Sequence, residues 1–355
     1  LLLVISCYHP LIGGAEKQAK VLAESLTSEG YEVSVLTKKR ARDQKELEYI
    51  NLVRVIRTNG VFGIFKKVFL LKNNYDILVF AGQLSNVKKS VFFSQLLFSF
   101  ITKYVLRKKV ILWPTSSSSM YENLLSFPLS ALLINIFDLV LCKSKEQEGF
   151  FKKVVWNKGK VLAPPWSMID TLEFSPPSKK EKVLLRQKLC IPKNKKVLVF
   201  VGRLFSGKGI DLIISAYKSV YKSNENTFLL VLGAVNESSY SDNEYYKKLT
   251  ALGTSRCKVV VNCQRTSEYL KASDIFVFPS FSEGCSVSQI EAMSTGLICV
   301  GSDLPSIKEK IVDGYNGFIF KTGSLSDFIL AIKKALSLKD SDNMRNKSRE
   351  VVASM

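Results

Sequence analysis

The 355-residue chain has one histidine, His9, and no CxxC pair among its seven cysteines. Zinc sites draw on histidines and on closely paired cysteines, so a zinc site is not expected. The cysteines, at 7, 142, 190, 257, 263, 285 and 299, are odd in number and dispersed. They read as reduced thiols of a cytosolic protein. No GxxxxGK[ST] loop occurs, which excludes a P-loop phosphate grip. The longest apolar run, "VFFSQLLFSFITKYVL" at 91–106, is short for a membrane span and is interrupted by Lys103. It reads as a buried helix, with a helix lying in a membrane surface as the alternative. The opening "LLLVISCYHP" has no basic leader and runs into Pro10; it reads as a buried strand and not as a signal peptide. The chain starts without Met and stops at "REVVASM", and trimming at both ends is expected.

What the chain has in excess is positive charge, +20 at neutral pH. Such a surplus favours acidic partners: nucleic acid, anionic lipid or small phosphates. The cations come as short clusters, "KKR" at 38–40, "RKK" at 107–109, "KK" at 152–153 and "KKEK" at 179–182. None is the long block of a nucleic-acid tail, and aromatics do not interleave with them as in nucleic-acid modules. Apolar residues make up 46% of the chain, enough for a large core, and the length calls for two domains.

Short apolar runs alternate with helical patterns. "LLLVIS" precedes a glycine turn and "AEKQAKVLAESLTSEG", where Ala19, Leu22, Ala23 and Leu26 recur at helical spacing and Gly30 is placed to stop the helix. "YEVSVLT", "LVRVIRT", "YDILVFAG", "KKVILWP" and "FDLVLCKS" continue as strands. Prolines 164, 165, 176, 177 and 192 mark a boundary, after which "KVLVFVG", "TFLLVLGA", "KVVVNC", "DIFVFPS" and "LICVGSD" resume the pattern. This predicts an α/β protein with parallel sheets covered on both faces. The limits are 1–165, a linker region 166–192, and 193–355. Two Rossmann-like domains with a cleft facing the carboxyl ends of both sheets are the simplest architecture.

Three loops at carboxyl ends of strands carry candidate chemistry. In "HPLIGGAEK", Gly13 and Gly14 precede a helix, where backbone N–H groups attract anions; a plain strand-to-helix turn is the alternative. In "FVGRLFSGKGID", Arg203 and Lys208 flank a glycine-bearing turn and suit a diphosphate, unless they are solvated surface cations. In "SFSEGCSVSQIEAM", Glu283 falls on a loop and Glu291 on the following helix, with Ser286 or Ser288 as its cap. Eight helical residues turn through roughly 800°, so the two acids do not share one helical face. Carboxylates accept from hydroxyls, often in pairs from a diol, and a sugar ring or a ribose would fit either.

In order and spacing, these segments resemble retaining glycosyltransferases of the GT-B fold, in the large family 4. "PPWSMIDTLEFSPP" is similar to the family's interdomain segment, "FVGRLFSGKGID" to GRLxxxKG, and "SDIFVFPSFSEGCSVSQIEAMSTG" to the E-x7-E segment. "VDGYNGFIF" is similar to the strand that follows. The resemblance implies a nucleotide-diphospho-sugar donor on 193–355 and an acceptor side on 1–165. Arg203 and Lys208 would neutralise the diphosphate as the leaving group gains charge. Glu283 would bind hydroxyls of the donor sugar and Glu291 those of the ribose. Backbone groups of Gly284, Cys285, Ser286 and Val287 would meet phosphate or sugar, and Gly13 and Gly14 would close over the donor. Retention would proceed by front-face attack with the leaving phosphate as base, with no metal and no cofactor; a two-carboxylate glycosidase mechanism is not implied.

The chain departs from the family pattern in places. "ILWPTSSSSM" carries no histidine where many members have one, and Thr115 to Ser119 offer hydroxyls instead. "SDLPSIKE" replaces a GGxPE segment, and the glycine expected near Cys263 is missing. His9 suits packing, capping or an acceptor contact. The expected function is transfer of a sugar onto a glycan or lipid-linked acceptor in bacterial surface polysaccharide synthesis, in the cytoplasm or at the inner face of the membrane. The alternatives are a nucleotide-sugar epimerase of the same fold, which the single histidine disfavours, and a non-enzymatic basic binding protein.

Overall fold

The computed structural model describes the chain except residues 10–12, 41–43, 83–88, 116–117, 126–127, 165–168, 235–239, 254 and 339–341, and the side chains of 89–91, 118–120, 124, 128, 131 and 240–242. It divides into two units, Leu1–Met168 and Ile169–Met355.

The first unit holds β1 (Leu2–Ile5), β2 (Ser34–Lys38), β3 (Leu47–Ile50), β4 (Val53–Thr58), β5 (Ile77–Ala81), β6 (Lys109–Trp113), β7 (Leu139–Leu141) and β8 (Val161–Leu162). They form one sheet in the order β3-β4-β2-β1-β5-β6-β7-β8. Every neighbouring pair is parallel except the edge pair β3–β4. A parallel strand covered on both faces reads as an unbroken apolar run, and all of β1, "LLVI", is buried. Leu2, Val4, Leu78 and Phe80 point to one core, which takes Ile64 and Val68 from the helix Gly60–Leu70 and Phe92 and Leu96 from the helix Lys89–Tyr104. Leu3, Ile5 and Val79 point to the other, which takes Ala19 and Ala23 from the helix Gly14–Ser28. Gly30 ends that helix as expected, in the left-handed region at φ +89°, where a side chain would be strained.

The second unit holds β9 (Lys196–Arg203), β10 (Thr227–Ala234), β11 (Cys257–Val261), β12 (Ile275–Phe278), β13 (Ile298–Ser302) and β14 (Gly317–Phe320). The order is β11-β10-β9-β12-β13-β14 and all pairs are parallel. The helices Ile210–Ser223 and Leu325–Ser337 cover one face and Val287–Ser294 the other, while Asp342–Ala353 reaches both, through Met344 and Val352. Strand order reverses between β9 and β12, and in the first sheet between β1 and β5. Ligands of open parallel sheets bind outside the carboxyl ends at such reversals.

The amino ends of β9 and β12 are pinned by one carboxylate. Asp274, 8% exposed, accepts from Val197 N at 2.8 Å, from Lys182 Nζ at 2.7 Å and from Arg186 Nη2 at 2.7 Å. Burial alone would push this carboxyl up, but Lys182, Arg186 and the Val197 N–H outweigh it and hold it below the usual carboxylate range. Both cations lie on the helix Lys179–Lys188, which opens with a capping box between Ser178 and Glu181. From Ile169 onward, therefore, the expected linker region 166–192 is built into the second unit.

All seven cysteines are free thiols. Burial pushes those of Cys142 and Cys257 up to about 12, so neither is a nucleophile at neutral pH. Among the described residues no helix is long and apolar enough to cross a membrane.

Candidate functional site

The sequence-predicted residues of the second unit gather at the carboxyl ends of β9 and β12. Arg203 is the last residue of β9, and Lys208 closes the short 3-10 turn Ser206–Lys208. Gly209 follows at φ +70° and starts the helix Ile210–Ser223. A Cβ at Gly209 would sit 2.1 Å from the carbonyl oxygen of Pro279, one residue past β12. Only glycine allows that approach. It lets Phe281 N donate to Gly207 O at 2.9 Å, clasping the two loops.

The clasp brings Lys208 Nζ to 2.5 Å from Glu283 Oε1. Their side chains are only 22% and 10% exposed, so water screens the pair weakly. Ser280 Oγ donates to the same Glu283 oxygen at 2.8 Å, and Ser306 Oγ donates to the Glu283 carbonyl at 2.9 Å. Ser302 Oγ in turn donates to Ser280 O at 2.7 Å. Ser302 and Ser306 belong to "SDLPSIKE", the segment that departs from the family pattern, and here they buttress the Glu283 loop. Sequence reading missed Ser280, Ser302 and Ser306 as contributors; their one signal is small hydroxyl residues at and just beyond strand ends.

Gly284 and Val287 are buried and Cys285 is half-buried. Ser286 caps the helix Val287–Ser294, accepting from Gln289 N at 3.3 Å, which decides between the two expected caps. No acid lies in the first turn of this helix, so its positive end is not neutralised locally. Glu291 is 2% exposed, inside the helix, and its carbonyl accepts from Thr295 Oγ1 at 2.8 Å. Loop and helix thus separate the two glutamates. Arg203 is exposed, its guanidinium 5.1 Å from the Phe205 ring centroid; among the described residues it forms no ion pair.

One lysine, one exposed arginine and a largely covered carboxylate at a strand-order reversal form a compact site of mixed charge, suited to phosphate on one side and hydroxyls on the other. Residues 181–351 match the family model of glycosyl transferases group 1. The chain carries a glycosyl transferases group 1 domain and has the GT-B fold. It is 27% identical to an uncharacterized glycosyltransferase of Methanocaldococcus jannaschii, over 95% of this chain and 88% of that one. It is also 27% identical to the UDP-Gal:alpha-D-GlcNAc-diphosphoundecaprenol alpha-1,3-galactosyltransferase of Escherichia coli, over 59% of this chain and 54% of that one. Its fold is similar to that of Anabaena HepE, solved in complex with UDP and glucose, with TM-score 0.79 and 18% identity over 99% of this chain and 94% of that one.

On the first unit, Gly13 caps the helix Gly14–Ser28 with extended backbone, and Gly14 is exposed at its start. A Cβ at Gly13 would meet Glu16 Oε2 at 2.1 Å, so a carboxylate already lies against this helix start. Pro10 to Ile12 of the glycine loop lie outside the described residues, as do Ser116 and Ser117 and the side chains of Ser118 and Ser119. His9 contributes its carbonyl, which accepts from buried Arg57 Nη2 at 2.9 Å; burial, with Lys20 second, lowers the imidazole pKa. Gly82, after β5 at φ +75°, packs against the Thr115 hydroxyl, where a Cβ would have 2.0 Å.

Proposed function

We propose that this chain is a glycosyltransferase that moves a sugar from a nucleotide-diphospho-sugar to a glycan or lipid-linked acceptor, with retention and without a metal or cofactor, in surface polysaccharide synthesis. The observation that carries the donor reading is the Lys208–Glu283 pair at the reversal between β9 and β12. In the resting arrangement each is the other's partner. An entering diphosphate would take over Lys208, with Arg203 as the second cation. That would release the Glu283 carboxylate, still braced by Ser280 and Ser306, to accept hydroxyls of the donor sugar. After the exchange Lys208 is paired with the diphosphate, and the Glu283 carboxylate keeps hydrogen-bond donors from Ser280 and the sugar hydroxyls. Cations and the start of the Val287–Ser294 helix would gain most from the charge that develops on the leaving diphosphate. Glu291 would hold the ribose.

HepE in complex with UDP and glucose supports a uridine nucleotide sugar as the first donor to try. The Escherichia coli galactosyltransferase supports a lipid-linked acceptor. The test is a thermal-shift screen over UDP-, GDP- and ADP-sugars with a chelator present throughout. A donor at about 100 times its Kd adds ~2.7 kcal/mol of stability. No shift by any nucleotide sugar, or a shift that needs added metal, would sink this reading.

A further inference from the structure

We propose that the outer face of the helices Gly60–Leu70 and Lys89–Tyr104 docks the protein on an anionic lipid bilayer. Each helix buries one face in the first unit's core, through Ile64 and Val68 and through Phe92, Leu96 and Ser99. Their other faces are apolar as well. Phe62 is 81% exposed, and Leu70, Leu97 and Phe100 are exposed beyond it. Between the helices lies an open groove of about 410 Å³, lined by Val61, Phe62, Phe65, Leu97, Phe98 and Ile101. The Phe65 and Phe98 rings stack at 4.5 Å beneath it. Scattered apolar residues on a surface mean little, but a contiguous apolar patch marks an interface.

Charge decides what the patch fits. Between residues 60 and 109 there are nine lysines and arginines and one acid, Asp76. Lys66 is one turn from Phe62 on the same exposed face, and Lys72 and Arg107 are exposed beyond the ends of the two helices. Among the described residues none of these three has an acidic partner. Apolar rings with cations around them match a surface that is hydrocarbon inside and anionic outside. A second copy of this chain would bring the same cations against each other, which opposes pairing of like faces.

The experiment is co-sedimentation of the full chain with vesicles of phosphatidylcholine alone and of phosphatidylcholine with phosphatidylglycerol. Binding is expected only to the anionic vesicles and should fall with added salt. Lys66→Glu should weaken it by about fivefold or more. Phe62→Asp with Leu97→Asp should weaken it by more than about tenfold. Both positions are exposed, and an unchanged circular dichroism spectrum checks the fold. Leu172→Asp, exposed in the second unit, should bind as the parent does. Equal binding to neutral vesicles, no binding to either, or full binding by the double variant would overturn the proposal. So would a dimer in light scattering that the double variant dissolves, which would assign the face to a second copy. Vesicle binding is read without any nucleotide sugar, so its failure is separate from failure of the donor reading.

Discussion

The loops that follow β1 and β12 each lie beside the strand-order reversal of their own sheet, on opposite sides of it, and are held in different ways. The loop after β12 is fixed by charged and hydroxyl side chains: Lys208 and Ser280 on the Glu283 carboxylate, and Ser306 on its backbone. The described part of the loop after β1 is held mainly through carbonyls, with Arg57 on His9 O and Lys17 N on Gly13 O, and by Arg40 on the Ser6 hydroxyl. Side-chain clasps present charge in a set geometry, which suits a diphosphate and hydroxyls. Carbonyl clasps set only the path of the chain. The second unit therefore advertises its chemistry as spaced charged residues, while the first shows it as shape and surface composition.

The largest effect that would sharpen this contrast is Lys208→Ala. It removes the cation and leaves Glu283 without its ion-pair partner, so turnover should fall by ~10²–10³-fold in a sugar-transfer assay. Next comes Asp274→Asn, which loosens the other end of the same strands and should cost about 3 kcal/mol in urea unfolding. The Asp274 carboxyl sits below its ordinary value in the folded protein. Its stabilisation is therefore complete above the unfolded value, 3.8, and is lost as pH falls through the folded one. The parent should lose stability on acidification below about pH 4, and the variant should lack that component. A matching acid slope in both would break the pinning argument.

The two glycines test the contrast most directly by size. An added Cβ would come 2.1 Å from a neighbour at both Gly209 and Gly13. At Gly209 the neighbour is a backbone carbonyl and φ is +70°; at Gly13 it is the end of the Glu16 side chain. Gly209→Ala should cost about 1–3 kcal/mol and separate Lys208 from Glu283, lowering turnover. Gly13→Ala should cost under about 1 kcal/mol, since Glu16 can turn away. Equal melting temperatures for the two variants would contradict the reading. The smallest effect is Ser306→Ala, which removes one hydrogen bond to the Glu283 carbonyl. It should cost about 1 kcal/mol or less, read as a modest rise in donor KM.

Much of this was legible beforehand because the signals are local. The parallel strands are apolar runs, Gly30 stops a helix, and the spacing of Glu283 and Glu291 separates loop from helix. What was not legible depends on contacts distant in sequence. The edge strand β3 escaped notice because its pattern, "LEYI", is exposed and half-exposed by turns, and its hairpin turn, Asn51–Leu52 with φ of 45° and 68°, carries no glycine. The serines that brace the Glu283 loop come from just past β12, from the end of β13 and from the short helix Pro305–Lys308, and meet only in the fold. The run 91–106 was ambiguous because it is apolar all round; the helix it forms buries one face and leaves Leu97, Phe100 and Tyr104 open on the other. The stretch 166–192 read as a linker from its prolines, yet Lys182 and Arg186 within it meet Asp274 some 90 residues away.

Calorimetric titration separates the two glutamates in a single comparison. The nucleotide sugar that gives the largest thermal shift, and its bare nucleoside diphosphate, would each be titrated into the parent, Glu283→Gln and Glu291→Ala. Glu291→Ala should weaken both ligands about equally, by roughly tenfold for a lost charged hydrogen bond. Glu283→Gln should weaken the nucleotide sugar and leave the bare diphosphate close to its parent affinity. Parent-like binding of both ligands by both variants would show that the Lys208–Glu283 loops are not where the donor binds.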